Sequence, residues 1–351
     1  MKMKAKTAAV CILLLGMVFA GCAKKEQPKE TAGTAPGTKP AIRVALIVTG
    51  MLGDKSFNDS MYAGLERARN EFGIEVKALE SKETSDWEAN LIAMAAEGYD
   101  LVIVPSQLTD SVIALAPKYP GVNFGVIDAV VDAPNVQSAI FSQNEGAFLV
   151  GVAAAMFTTK TNIENVNDKK IVGFIAGMDI PVIADFFAGY EQGVKYIDPE
   201  IRVLASYCGT FNDPLKGKEL AEAQYSQGAD IIYNLGATSG EGILETANTL
   251  GLYAIGGDIN QDGIYPGRIL TSELKMNDTA TYLMAKAVVD GTFKGGSIRL
   301  DVANGGMGVT DMSVMRKALG DKFPEDIPEK INELIRDITD GTLAVNHAPG
   351  F

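Results

Sequence analysis

The sequence predicts an α/β protein made of two doubly wound, Rossmann-like lobes. Three observations lead there. Short apolar runs, of the kind buried on both faces of a parallel sheet, alternate with helical stretches. The alternation begins afresh after Gly146. The chain has 351 residues, more than the roughly 100–200 that one core serves. Hydrophobic residues are 47% and charged residues 21%, ordinary usage for a chain that folds in water and contrary to a disordered or polytopic membrane protein.

In chain order, residues 1–21 read as a secretory signal, with Lys2, Lys4 and Lys6 ahead of an apolar run from Ala8 to Phe19. That run is shorter than the roughly 20 residues a spanning helix needs. Phe19-Ala20-Gly21-Cys22 resembles the lipobox of bacterial lipoproteins, with Phe19 where Leu is usual. Lipidation of Cys22 would hold the protein at the membrane surface; secretion after nearby cleavage, or an uncleaved anchor, are the other readings. Residues 22–40 mix Lys, Glu, Pro, Thr and Gly with almost nothing to bury, and read as a flexible tether.

The folded body starts near Ala41. Strands are expected at Ile42–Val48, Glu75–Leu79, Leu101–Val104, Asn123–Ile127 and Val136–Phe141. Helices at Met61–Phe72, Trp87–Glu97 and Ser111–Ala116 separate the first four, with Gly73, Gly98 and Gly121 at or just beyond their ends. The second series has strands at Ile171–Ile175, Ile201–Tyr207, Ile231–Leu235 and Tyr253–Ile255, with helices at Val182–Ile197, Pro214–Gln227 and Gly242–Leu250. Arg268–Leu274, Ile298–Val302 and Met307–Val309 read as late strands, Thr279–Val289 as a helix and Pro328–Asp337 as an exposed terminal helix.

Charge and residue counts remove several function classes. Lys plus Arg total 31 against 44 Asp plus Glu, a net charge of −13 that becomes −16 once the three signal lysines leave. Such a chain repels phosphate backbones, so no nucleic-acid partner is expected. The one histidine, His347, lies beside the C-terminus, which argues against a catalytic triad, a His-rich zinc site or a histidine base in the body. With Cys11 in the signal and Cys22 acylated, Cys208 is left alone. No disulfide framework is possible, and Cys208 reads as a small core residue, not a nucleophile.

In open α/β sheets the ligand lies beyond the carboxyl ends of the strands. After the first strand comes Gly53-Asp54-Lys55-Ser56-Phe57-Asn58. Asp54, Ser56 and Asn58 suit the start of a helix. Phe57 is not needed for that, whereas a planar ligand would use its ring face. The same logic marks Ser106-Gln107, Asp128, Asp179, Phe211-Asn212-Asp213, the stretch Gly236 to Gly242, and Asp258.

Gly53 to Asn58, the helix from Trp87 to Gly98 before Tyr99-Asp100-Leu101-Val102-Ile103, Ile127-Asp128-Ala129, Asn144 to Gly151, Phe187 to Gly193 and Gly256-Gly257-Asp258 occur in that order. In this set the chain resembles the basic membrane protein family, substrate-binding lipoproteins related to the purine nucleoside receptor PnrA. The resemblance implies a type I periplasmic-binding-protein fold, with purine nucleoside held between hinged lobes and passed to an ABC transporter permease. It implies lobes of residues 42–142 with 275–300, and of 143–274 with 301–345. It would make Phe57 and Phe211 the two walls of the base site. Asp54, Asn58 and Asp128 would then read the base edge, and Asp258 and Lys275 would hold the ribose hydroxyls. No cofactor, metal or catalytic residue is implied, and the expected location is the cell membrane, lipid-anchored and facing the periplasm or exterior.

The sequence also admits other readings. Asp258-Ile259-Asn260-Gln261-Asp262-Gly263 matches half of a calcium loop, but the twelfth position is Ile269 and the segment follows a strand. Gly236 to Gly242 could cradle phosphate at a helix N-terminus but lacks a nucleotide fingerprint. A sugar or other small-solute binder on the same fold, and a nucleoside hydrolase using clustered carboxylates, are the functional alternatives.

Overall fold

The computed structural model describes residues 41–349; the expected signal, the tether and Cys22 lie outside the described residues. The first sheet takes β1 (Arg43–Thr49), β2 (Glu75–Ser81), β3 (Leu101–Pro105), β4 (Asn123–Ile127) and β5 (Val136–Phe141), with α1 (Phe57–Phe72), α2 (Thr84–Ala96) and α3 (Thr109–Leu115) between them. After α4 (Gln143–Thr158), the second sheet takes β6 (Ile171–Ala176), β7 (Arg202–Tyr207), β8 (Ile231–Leu235), β9 (Tyr253–Gly256) and β10 (Ile269–Lys275), with α5 (Pro181–Ile197), α6 (Pro214–Ser226) and α7 (Thr238–Leu250). Then follow α8 (Asn277–Val289), β11 (Gly296–Leu300), β12 (Met307–Val309), α9 (Ser313–Leu319) and α10 (Asp326–Thr339). Among the described residues no helix is long and apolar enough to cross a membrane.

The two sheets repeat one plan. Their strand orders are β2-β1-β3-β4-β5-β11 and β7-β6-β8-β9-β10-β12. Neighbours are parallel, except β12 against β10. In each sheet the chain moves outward from the first strand, returns to its other side and leaves the sixth place for a strand made much later. The chain therefore passes between the sheets three times, after β5, β10 and β11.

The expected alternation is present, and the differences that bear on the fold are these. Helix α1 starts at Phe57 instead of Met61, because the Asp54 carboxylate accepts backbone N–H groups of Ser56, Asn58 and Asp59 at 2.9–3.1 Å and so caps an earlier turn. Helix α4 was not foreseen: nearly all of it is buried, so it is apolar all round and carries no amphipathic period. It packs on α5, where a Cβ at Gly193 would fall 2.1 Å from the Phe148 carbonyl oxygen, so only glycine permits the approach. The terminal helix α10 is exposed on one face only, since Ile327, Ile331, Leu334 and Ile338 form a buried stripe and α10 packs on α4. Lastly, β2 and β7 are sheet edges and only partly buried, unlike the inner strands.

Candidate functional site

A cavity lies where the carboxyl ends of both sheets meet. One side of its wall comes from Thr49 at the end of β1, Asp54, Phe57 and Asn58 at the start of α1, Ser106 and Gln107 after β3, and Asp128 after β4. The other side comes from α5 with Ile183 and Phe186, Phe211 after β7, Leu235 and Ala237 after β8, Asp258 after β9, and Lys275 ending β10. All of Asp54, Phe57, Asn58, Asp128, Phe211, Asp258 and Lys275 thus share one wall. Asp179, Asn212 and Asp213 are exposed and stand off it; Asp213 instead caps α6, accepting the Lys216 N–H at 3.0 Å.

Lys275 holds the centre. It is 2% exposed, and its Nζ donates to both Asp128 oxygens at 2.7 Å. The rings of Phe57, Phe141 and Phe186 have centroids 5.4, 4.8 and 5.3 Å from that ammonium, a cation–π setting strengthened by burial. Asp128 and Asp258 have φ of 69° and 65°, left-handed conformations uncommon outside glycine and typical of binding sites that the surrounding structure enforces. Phe211 packs closely against Gly177: a Cβ added there would fall 2.1 Å from its ring.

The carboxylates differ in what they already hold. Burial pushes the Asp54 carboxyl up to about 6, against the three backbone donors that favour its charge. Asp258 accepts the Ser56 hydroxyl. Its pKa is raised chiefly by burial, with nearby Lys275 and the Ser56 bond opposing. Behind it, Glu273 Oε2 accepts the Asp258 N–H at 3.2 Å while Oε1 has no partner. Burial, then the Asp258 charge, pushes Glu273 up to about 8. Asn58 donates to the Met51 carbonyl at 3.2 Å, and its Oδ1 and Gln107 Oε1 are buried acceptors without a partner in the protein.

The calcium-like loop is differently used, with Asp258 facing Ser56 and Asp262 Oδ1 accepting Ser272 Oγ at 2.6 Å. Among the described residues no group of three or more His, Cys, Asp or Glu could hold a metal ion. Cys208 is half-buried, not fully in the core, and burial pushes its thiol up to about 11, which keeps it protonated and unreactive. Sequence reasoning missed Thr49, Ile180, Val182, Ile183, Phe186 and Leu235. The available signal was symmetry: α5 follows β6 as α1 follows β1, so its first turn had to face the same cleft.

Glu273 sets a pH dependence whose sign is fixed. The folded protein holds this proton up to about 8, the unfolded chain only to about 4.3. The folded state therefore binds more protons between these values, and stability falls as pH rises through about 8. Urea unfolding at pH 5, 6.5 and 8 should show that decline, shallower in Glu273→Gln. An equal slope in the variant would assign it elsewhere, for instance to Asp230, raised to about 7.

Residues 41–338 match the family model described as "ABC transporter substrate-binding protein PnrA-like". The chain is 31% identical to the ABC transporter nucleoside-binding protein BmpA of Lactococcus lactis, covering 98% of this chain and 99% of that protein. It is 32% identical to an uncharacterized lipoprotein of Pyrococcus horikoshii, over 95% and 85% of the two. Among solved structures, a solute-binding protein of an ABC transporter system from Aeropyrum pernix superposes with a TM-score of 0.80 at 27% identity, covering 89% of this chain and 94% of that one. With the two-sheet architecture and the cleft, these matches show that the chain belongs to the PnrA-like, or basic membrane protein, family of ABC transporter substrate-binding proteins.

Proposed function

We propose that the protein captures purine nucleosides in this cavity and delivers them to an ABC importer's permease. One observation carries the reading: two aromatic rings, Phe57 and Phe211, share a small wall with acceptor-rich side chains from both sheets. A base stacked on such a ring gains roughly 1–3 kcal/mol. Asn58 and Asp128 then read the base edge and Asp258 and Lys275 the ribose, while Asp54 adds an acceptor and holds the loop. Residues 42–142 with 276–300 act as one moving lobe and 143–275 with 301–345 as the other, Lys275 going with the second sheet that carries it instead of with 276–300, and a ligand touching both favours closure. The printed name of the Lactococcus relative supports the ligand class. The lipoprotein name of the Pyrococcus relative supports acylation of Cys22 and a membrane-anchored, outward-facing location.

Phosphate is excluded on charge. Asp54, Asp128 and Asp258 line the wall, and the one wall cation, Lys275, is already paired with Asp128, so a nucleotide meets uncompensated negative potential.

Calorimetry with inosine, guanosine, adenosine, a pyrimidine nucleoside, adenine, AMP and galactose tests the proposal. Purine nucleosides should bind, with no base released, and Phe57→Ala should weaken them about ten- to hundredfold. Galactose binding with silence from every nucleoside would promote the sugar reading. Free base in the mixture would make the protein a hydrolase, and AMP equal to adenosine would overturn the charge argument.

A further inference from the structure

We propose that Lys55, in the loop between β1 and α1, is a clasp that holds the lobes closed without touching the ligand, engaging Glu241 and Gln261 across the cleft mouth. The inference rests on the two-lobe binding function proposed above.

The loop is held in position by its own lobe. Lys55 has φ of 49° and Gly53 of 91°. The Asp59 carboxylate secures both by accepting the Gly53 N–H at 2.7 Å and the Lys55 N–H at 2.9 Å. A non-glycine residue kept in the left-handed region by dedicated hydrogen bonds marks a segment whose direction is selected.

That direction carries Lys55 to the other lobe. Its carbonyl accepts from Gln261 Nε2 at 2.8 Å. Gln261 is itself fixed there, its Oε1 accepting the Gly257 N–H at 3.1 Å and its N–H donating to Ser272 Oγ at 2.9 Å. The Lys55 ammonium meets Glu241 Oε1, in the first turn of α7, at 2.9 Å. None of Lys55, Glu241 and Gln261 belongs to the ligand cavity wall.

Opening the cleft breaks both bonds, so they add to closure and to nothing else. A contact made only in the closed state raises the closed fraction, and apparent affinity scales with that fraction for every ligand alike. The side chains of Lys55 and Glu241 are 57% and 39% exposed, so the pair is modest in strength and weakened by salt.

The test is a charge-reversal cycle in the full-length protein: Lys55→Glu, Glu241→Lys and both together. X-ray scattering without added ligand and stopped-flow binding of inosine and guanosine are the readouts. Each single reversal should expand the ligand-free protein and raise both Kd values by one common factor, about two- to tenfold, mainly through faster release. The double reversal should restore scattering and Kd together. Failure of the double reversal to restore, or unequal factors for the two nucleosides, would overturn the clasp. If no nucleoside binds at all, the proposed ligand fails, and the scattering cycle still decides the clasp.

Discussion

Lys275→Met should destabilise the protein by about 3–5 kcal/mol, the usual cost of stranding one member of a buried ion pair. The lysine side chain is 1% exposed and that of Asp128 4%, so after substitution the Asp128 charge has neither water nor a counter-ion. The same ammonium offsets the raised pKa of Asp258, so the loss spreads to a second carboxylate. Urea unfolding checks the magnitude. The double variant Lys275→Met/Asp128→Leu separates the two uses of the pair. Replacing both partners by apolar groups is often close to neutral for stability, so it should recover much of the lost stability while the nucleoside binding proposed above stays lost. A double variant as unstable as the single would mean that packing around the three phenyl rings, not the stranded charge, dominates.

Asp185→Ala should cost about 2–4 kcal/mol, the size expected when a fully buried network loses its shared acceptor. Asp185 is 0% exposed. It accepts Gln143 Nε2 at 2.8 Å and the Ala348 N–H at 2.7 Å, and its Oδ2 lies 3.0 Å from His347 Nδ1. These bonds tie the C-terminal segment to the first residue of α4 and to α5, one position before Phe186 of the cavity wall. Hydrogen exchange adds a local readout. The Ala348 amide should exchange slowly in the wild type and rapidly in the variant, and Asp185→Asn, which keeps one acceptor oxygen, should fall between. Unchanged exchange at Ala348 would sink the assignment.

The sequence revealed most where burial and chemistry point the same way. Val44 to Val48, Leu101 to Val104 and Ile231 to Leu235 are runs that only inner parallel strands explain, and all are buried strands. Strand-end logic and the family resemblance together found seven residues that line one cavity. Helix α4 stayed hidden because a helix buried on every side has no polar face to give it a period. Phe186 and Ile183 stayed hidden because an apolar residue in a helix reads as core whether it faces packing or a ligand. The cross-lobe partners of Lys55 were out of reach for another reason: an exposed lysine and glutamate 186 positions apart carry no local signature of pairing.

The late sixth strands also constrain how the protein is made. Strand β5 pairs with β11 from Gln137↔Gly296 to Phe141↔Leu300, so the first sheet cannot be finished until almost the entire second one has been synthesised. During that interval β5 is an open edge able to pair with other chains. Folding order and chain order are thus at odds in this protein, and the period of greatest aggregation risk falls between the emergence of β5 and that of β11.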